Sequence, residues 1–228
     1  VGLILGFGLY TYQAVRMLPV LIVLAVGMAV YFSASSWAQR WRYTVNLSVL
    51  VLVSFIVFVP MFHYSVENPE EFWRRTTGRL LGDDLVQETQ PDGSITYRSA
   101  SLTERVEAFN QNVPTLMSNL RNAFLMFNWK GDVAWINGAP NHPAMSPITG
   151  ALLVIGVAAW LAWLVRRRDI VHWVIPVTVF VMLLPSALSI AFPLENPSHT
   201  RTSGAIPAVY LIASLPLALI AWRIVQLL

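Results

Sequence analysis

The segment Glu195-Asn196-Pro197-Ser198-His199-Thr200-Arg201 places a carboxylate, an imidazole and a guanidinium between two apolar runs. Two readings fit it. It is a polar hairpin tip, or it is a cluster in which Arg201 faces the phosphate of a membrane lipid. A second group, Tyr10, Tyr12 and Arg16, stands at the start of another apolar run. It is an interfacial anchor that snorkels to the surface, or a phosphate ligand with tyrosine hydroxyls around it. Positive charge on the outer side of a membrane runs against the usual bias, which favours function at Arg16. Asp83-Asp84 follows Gly82 in a turn-rich stretch and reads as a solvated acidic turn, since adjacent carboxylates point apart on most backbones. His63 and His142 are single histidines at the edges of apolar runs. Proton transfer is within their chemistry, but histidines so placed usually do none. The chain has no cysteine, so disulfides and thiolate metal sites are excluded. The sequence has no phosphate loop, dinucleotide fingerprint, zinc spacing or nucleophile elbow. No metal is expected.

The elements that hold these residues are written in hydropathy. Of 228 residues, 56% are hydrophobic and 12% charged, against about 25% charged in a soluble domain. The apolar residues form unbroken runs, and roughly 18 or more in a row read as a membrane helix. Val1 to Leu9 reads as the end of a span whose beginning is missing. The chain is therefore expected to be an internal or C-terminal piece of a longer protein. Met17 to Phe32, Thr44 to Phe62, Pro147 to Val165, Ile170 to Phe192 and Gly204 to Trp222 are predicted to cross, with Pro176 and Pro185 kinking the fourth of these. The expected fold is an all-α integral membrane protein, a multi-span helical bundle. Its parts are residues 1–62 (membrane helices), 63–146 (a loop of 84 residues) and 147–228 (three membrane helices).

Strict alternation puts Arg40, Arg42, Arg166, Arg167, Arg168 and Arg223 on one side. Short Arg-rich loops mark the cytoplasm. The corner Tyr10 to Arg16, the long loop and the segment Glu195 to Arg201 then share the extracytoplasmic face of a multi-pass plasma-membrane protein. Because the arginines follow topology, nucleic acid is not an expected partner.

The long loop, with 10 of the 12 acidic residues, carries its own signals. Asn68-Pro69-Glu70-Glu71 opens a helix with Phe72, Trp73 and Leu80 on its apolar side. Leu85 to Thr89 and Ile95 to Arg98 flank the turn signal Pro91-Asp92-Gly93 and predict a hairpin. Ser101-Leu102-Thr103-Glu104 is a capping box for a helix to about Asn110. Val113 to Phe127 reads as a third helix, apolar along Leu116, Leu120, Ala123, Phe124 and Phe127, suited to lying flat on a membrane. Phe127 to Pro147 reads as irregular.

The order GLYTYQAVRMLP, FHYSVENPEEFWRRT, NWKGD, NHPAMSPITGALLVIG and HTRTSGAIPAVYLIA resembles the C-terminal half of membrane glycosyltransferases. The nearest resemblance is to the dolichyl-phosphate-mannose–protein mannosyltransferase-like family (glycosyltransferase family 39) in its bacterial form. It covers Gly8 to about Ala213. The resemblance implies a C-type glycosyltransferase (GT-C) fold with its active site at the extracytoplasmic surface. It implies transfer of a sugar from a polyprenyl-phosphate donor to a protein, lipid or glycan acceptor, with no cofactor beyond the lipid-linked donor. The family's catalytic carboxylate lies in a region that precedes this chain, so the catalytic residue is expected there. Donor-binding roles carry over to Tyr12, Arg16, His199 and Arg201. The Gln87 to Arg98 hairpin looks like an insertion. Two other classes stay open: an O-antigen ligase or polymerase-like lipid-carrier enzyme, and a transporter or channel subunit. The latter is weakened because no span holds a buried acid–base relay.

Overall fold

The structure is a computed structural model that describes residues 1–69, 71–72, 85–90, 95–166 and 170–228. The described residues are helical apart from their connections and one two-stranded hairpin. In chain order they form α1 (Gly2–Gly8), a 3-10 turn (Gln13–Met17), α2 (Leu18–Met28, continued by a π turn Ala29–Ser33) and α3 (Trp37–Glu67). The hairpin β1 (Leu85–Thr89) and β2 (Ile95–Ser99) follows. Then come α4 (Leu102–Gln111), α5 (Val113–Leu125), α6 (Pro147–Arg166), α7 (Ile170–Ala187), α8 (His199–Thr202) and α9 (Ile206–Leu227). Among the described residues, four helical stretches are long and apolar enough to cross a membrane: Ala14–Ser33, Trp37–Glu67, Pro147–Arg166 and His199–Leu227.

Three boundaries depart from the sequence reading. The third span begins before Thr44 and ends beyond Phe62. The Ser36 side chain accepts from the Gln39 backbone N–H at 3.3 Å, so the basic turn at Arg40 and Arg42 is the first part of α3. At the other end the helix runs on to Glu67, where His63 and Glu67 pair at 3.2 Å one turn apart. The long connection therefore starts after Glu67. The predicted crossing Ile170 to Phe192 stops at Ala187 and is not among the four. Its terminal carbonyls are taken from inside the protein: Asn119 Nδ2 donates to the carbonyls of Ala187 and Ser189 at 3.1 and 3.3 Å. The chain can leave the helix there because its orphan acceptors are satisfied.

Close contacts rest on glycines. A Cβ on Gly6 would lie 2.8 Å from the Ser54 carbonyl, and one on Gly156 would lie 2.0 Å from that of Ile212. Small residues at these points let α1 meet α3, and α6 meet α9, backbone to backbone, as membrane helices favour. Gly2 faces Leu50 and Val53, Gly6 faces Ser54 and Val57, and Tyr10 Oη donates to the Val57 carbonyl at 2.7 Å. The contacts advance together, so α1 runs parallel to α3. The buried core lies where α5, α6, α7 and α9 meet, around Met126, Phe127, Leu153, Leu183, Val209 and Ile212.

In the long connection, the hairpin pairs antiparallel from Leu85↔Ser99 to Thr89↔Ile95. The capping box forms as expected, with Ser101 accepting from the Glu104 N–H and Glu104 accepting from the Ser101 N–H at 2.8 Å. The α5 helix does not lie free along its predicted apolar face. It packs against α7 with Asn119 and Ala123 buried, while Phe124 stays 44% exposed. Phe72 N–H bonds the Asn68 carbonyl at 3.0 Å. Trp73, Leu80, Asp83, Asp84, the Pro91-Asp92-Gly93 turn, Arg167 and Arg168 lie outside the described residues.

Candidate functional site

The 3-10 turn Gln13–Met17, which carries Arg16, packs against α7 and against α8, the short helix that carries Arg201. Tyr12 precedes the turn in an extended conformation and its carbonyl accepts from the Val15 N–H at 2.9 Å. The Tyr12 ring is 45% exposed, and its hydroxyl bonds nothing among the described residues. The Tyr10 hydroxyl, by contrast, is committed to α3. Arg16 is half-buried. Its guanidinium carbon sits 4.6 Å from the centre of the Phe72 ring, a cation–π contact. Its Nε is buried without a hydrogen-bond partner, and among the described residues no carboxylate pairs with it.

Arg201 is only 8% exposed and is held differently. Its Nη2 donates to Glu195 in an ion pair, its Nη1 donates to Ser189 Oγ, and its Nε is buried without a partner. The connection that carries Glu195 is itself fixed. Ser186 Oγ accepts from Asn196 Nδ2 at 3.1 Å and from the Ser198 N–H at 3.0 Å, and the Asn196-Pro197 peptide is cis. His199 Nε2 is a third buried nitrogen without a partner.

The residue that the sequence reading passed over is Asp132. It is 4% exposed, with no cation beside it among the described residues. Its Oδ1 accepts from the Ala134 N–H at 2.8 Å, and its Oδ2 accepts from Asn137 Nδ2 at 2.7 Å and the His199 N–H at 3.0 Å. These bonds satisfy a buried carboxylate without a salt bridge. Gly131 beside it explains the approach. A Cβ there would stand 1.9 Å from the His142 carbonyl oxygen and 2.9 Å from His199 Nε2. The signal in the sequence is the Gly131-Asp132 pair in a stretch that otherwise reads as irregular. It is a weak signal, because every partner but two neighbours is remote.

That stretch is a closed loop. The Ala144 and Met145 N–H groups bond the Met126 and Phe127 carbonyls at 2.9 and 3.0 Å, and the Asn141 N–H bonds the Asp132 carbonyl at 2.7 Å. A cavity of about 640 Å³ opens beside it, lined by Asn128, His142, Ser146 and Gly150 among others. A second, apolar cavity of about 510 Å³ between α6, α7 and α9 shares Asn128 and Val154 with the first.

Thus the structure packs the turn that carries Arg16 against the helix that carries His199 and Arg201, and it adds Asp132 through the His199 N–H. It leaves His63 apart, exposed and paired with Glu67. The His142 side chain is exposed, and only its backbone enters the Gly131 contact. Comparisons with known protein families, with curated proteins and with solved structures find no match. Buried N–H donors left unpaired cost about 1–3 kcal/mol each, and two guanidinium Nε–H groups here are of that kind. The chemistry that suits them is an anion.

Proposed function

We propose that this chain is the C-terminal part of a GT-C membrane glycosyltransferase. It moves a sugar from a polyprenyl-phosphate donor to a protein, lipid or glycan acceptor at the extracytoplasmic face of the plasma membrane. Arg16 holds the donor phosphate. The observation that carries this reading is the state of Arg16: a half-buried guanidinium with an unpaired Nε and no carboxylate partner among the described residues, packed in a turn against α8.

As the sugar–oxygen bond breaks, negative charge grows on the departing lipid phosphate. A guanidinium stabilises that charge through paired N–H bonds and keeps its own proton. Tyr12, whose hydroxyl bonds nothing among the described residues, stands four residues before Arg16 and donates to the same phosphate. Arg201 and His199 shape the other wall. Since Arg201 already pairs with Glu195 and donates to Ser189, the role of Arg201 is to fix α8.

The test is sugar transfer by the full-length enzyme from a defined polyprenyl-phosphate sugar. A charge-assisted bond is worth about 1.5–3 kcal/mol, so Arg16→Ala should slow transfer by about 10- to 150-fold. Arg16→Lys should restore part of the rate, because it keeps charge but lacks the planar fork. Unchanged turnover in Arg16→Ala overturns the assignment.

A further inference from the structure

The loop 128–143 has its polarity reversed relative to a water-exposed segment. Gly131 and Asp132 are buried, while Trp129, Trp135 and Ile136 are 76%, 79% and 76% exposed. This exposure does not come from slack chain. The loop is closed at its neck by the Ala144–Met126 and Met145–Phe127 bonds, crossed by Asn141–Asp132, and gathered inward by the Asp132 carboxylate. An ordered loop that holds its carboxylate inside and its indoles outside is built to face an apolar medium. Leaving a large apolar side chain in water forgoes about 1.5–3 kcal/mol.

The loop's position says which medium. Asn128 lies against Gly150, one turn into α6, a helix long and apolar enough to cross a membrane. Trp129 follows Asn128 directly, and Ile148 in the first turn of α6 is itself 77% exposed. The loop thus leaves the protein beside the first turn of a helix of membrane-spanning length and apolarity. Lys130 stands between the indole and the buried Gly131, exposed and without an ion pair among the described residues. Indole and ammonium side chains together suit the boundary between headgroups and hydrocarbon, where the ring is half-apolar and the cation meets lipid phosphate.

We propose that the loop 128–143 docks into the headgroup–hydrocarbon boundary of the membrane, with Trp129, Trp135 and Ile136 inserted and Lys130 at the level of the lipid phosphates. The segment that leads to α8 is tied to the loop by the His199 N–H bond to Asp132 at 3.0 Å; it exposes Phe192 and Leu194 by 49% and 90% and docks with the loop. Docking fixes the depth of the Asp132–His199 contact, and so of α8, at the headgroup plane. The inference does not depend on glycosyl transfer and fails or stands separately from it.

This chain has no cysteine, so in a full-length background freed of any other cysteine, single cysteines at surface positions carry a polarity-sensitive fluorophore at one site. Ile136→Cys and Leu194→Cys leave both tryptophans in place, and Val154→Cys, exposed in the middle of α6, gives the hydrocarbon reference. The labelled protein is placed in phospholipid nanodiscs with nitroxide lipids that carry the spin label near the headgroup or at mid-chain. The expected result at Ile136 and Leu194 is blue-shifted emission, loss of iodide quenching relative to the free dye adduct, and stronger quenching from the headgroup-proximal nitroxide. Iodide quenching equal to the free adduct overturns the proposal. So does protection from iodide without lipid quenching, which would mean a protein contact, and so does quenching greatest at mid-chain.

Discussion

Removing the Asp132 carboxylate should loosen the loop 128–143 and α8 together. Asp132→Ala strands three N–H groups: Ala134, Asn137 Nδ2 and His199. Each lost bond to a buried partner costs about 1–3 kcal/mol. The three sites are partly rather than fully buried, and removing a desolvated charge returns some free energy, so the net is set at about 2–4 kcal/mol. Asp132→Asn is the informative companion. An amide oxygen in the place of Oδ2 keeps the Asn137 and His199 bonds, while the new NH2 faces the Ala134 N–H, a loss of about 1–2 kcal/mol. Hydrogen exchange followed by mass spectrometry reads the local opening at the Ala134 and His199 amides. At a factor of ten per 1.4 kcal/mol, Asp132→Ala should speed exchange about 30- to 1,000-fold, and Asp132→Asn about 5- to 30-fold. Exchange unchanged at His199 in Asp132→Ala would refute the tether. Faster exchange in the Asn variant than in the Ala variant would refute the assignment of acceptors.

Gly156→Ala places a methyl 2.0 Å from the Ile212 carbonyl and should destabilise the protein by about 1–3 kcal/mol, the usual cost of overpacking. Gly27→Ala, with nothing near its Cβ position, should instead stabilise by about 0.5–1 kcal/mol; thermal unfolding of both in detergent gives the comparison, and equal shifts would refute the helix contact. Glu195→Gln leaves Arg201 buried with a weakened partner and should cost about 1–3 kcal/mol, discounted from a fully buried pair because Glu195 is half-exposed. A double-mutant cycle with Arg201→Met should then show a coupling of about 0.5 kcal/mol or more, and strict additivity would refute the pair.

What could be read ahead of the structure was local. The Ser101–Glu104 capping box forms because both of its bonds lie within one turn. The hairpin strands fall at Leu85–Thr89 and Ile95–Ser99 because alternation and a turn signal are also short-range. Hydropathy placed the spans, yet it overran at Phe192. The end of α7 is decided by Asn119, remote in sequence, which takes the carbonyls of Ala187 and Ser189. Hydropathy also stopped α3 too soon, because a helix needs no apolar residues once its own backbone bonds are made, and α3 ends at Glu67 with a polar last turn. Asp132 was missed for the same reason as Asn119. Its meaning lies in the His199 N–H, and no spacing rule joins residues so far apart.

The two arginines show where sequence logic alone stops. Both stand at the start of spanning helices beside polar groups, and chemistry by residue type ranks them equally. Their neighbours separate them. A phosphate that approaches Arg201 must compete with a carboxylate already in contact and held only six residues away in the chain. At Arg16 its competitor among the described residues is the ring of Phe72, worth about 0.5–2 kcal/mol. The ring carries no formal charge, so a phosphate at Arg16 displaces no carboxylate among the described residues. Arg201→Ala should therefore appear mainly as a loss of folded protein, with turnover per folded molecule largely kept. Arg16→Ala should leave the yield of folded protein near normal and lower the rate. If the two variants exchange these signatures, the division between a structural and a phosphate-binding arginine is reversed.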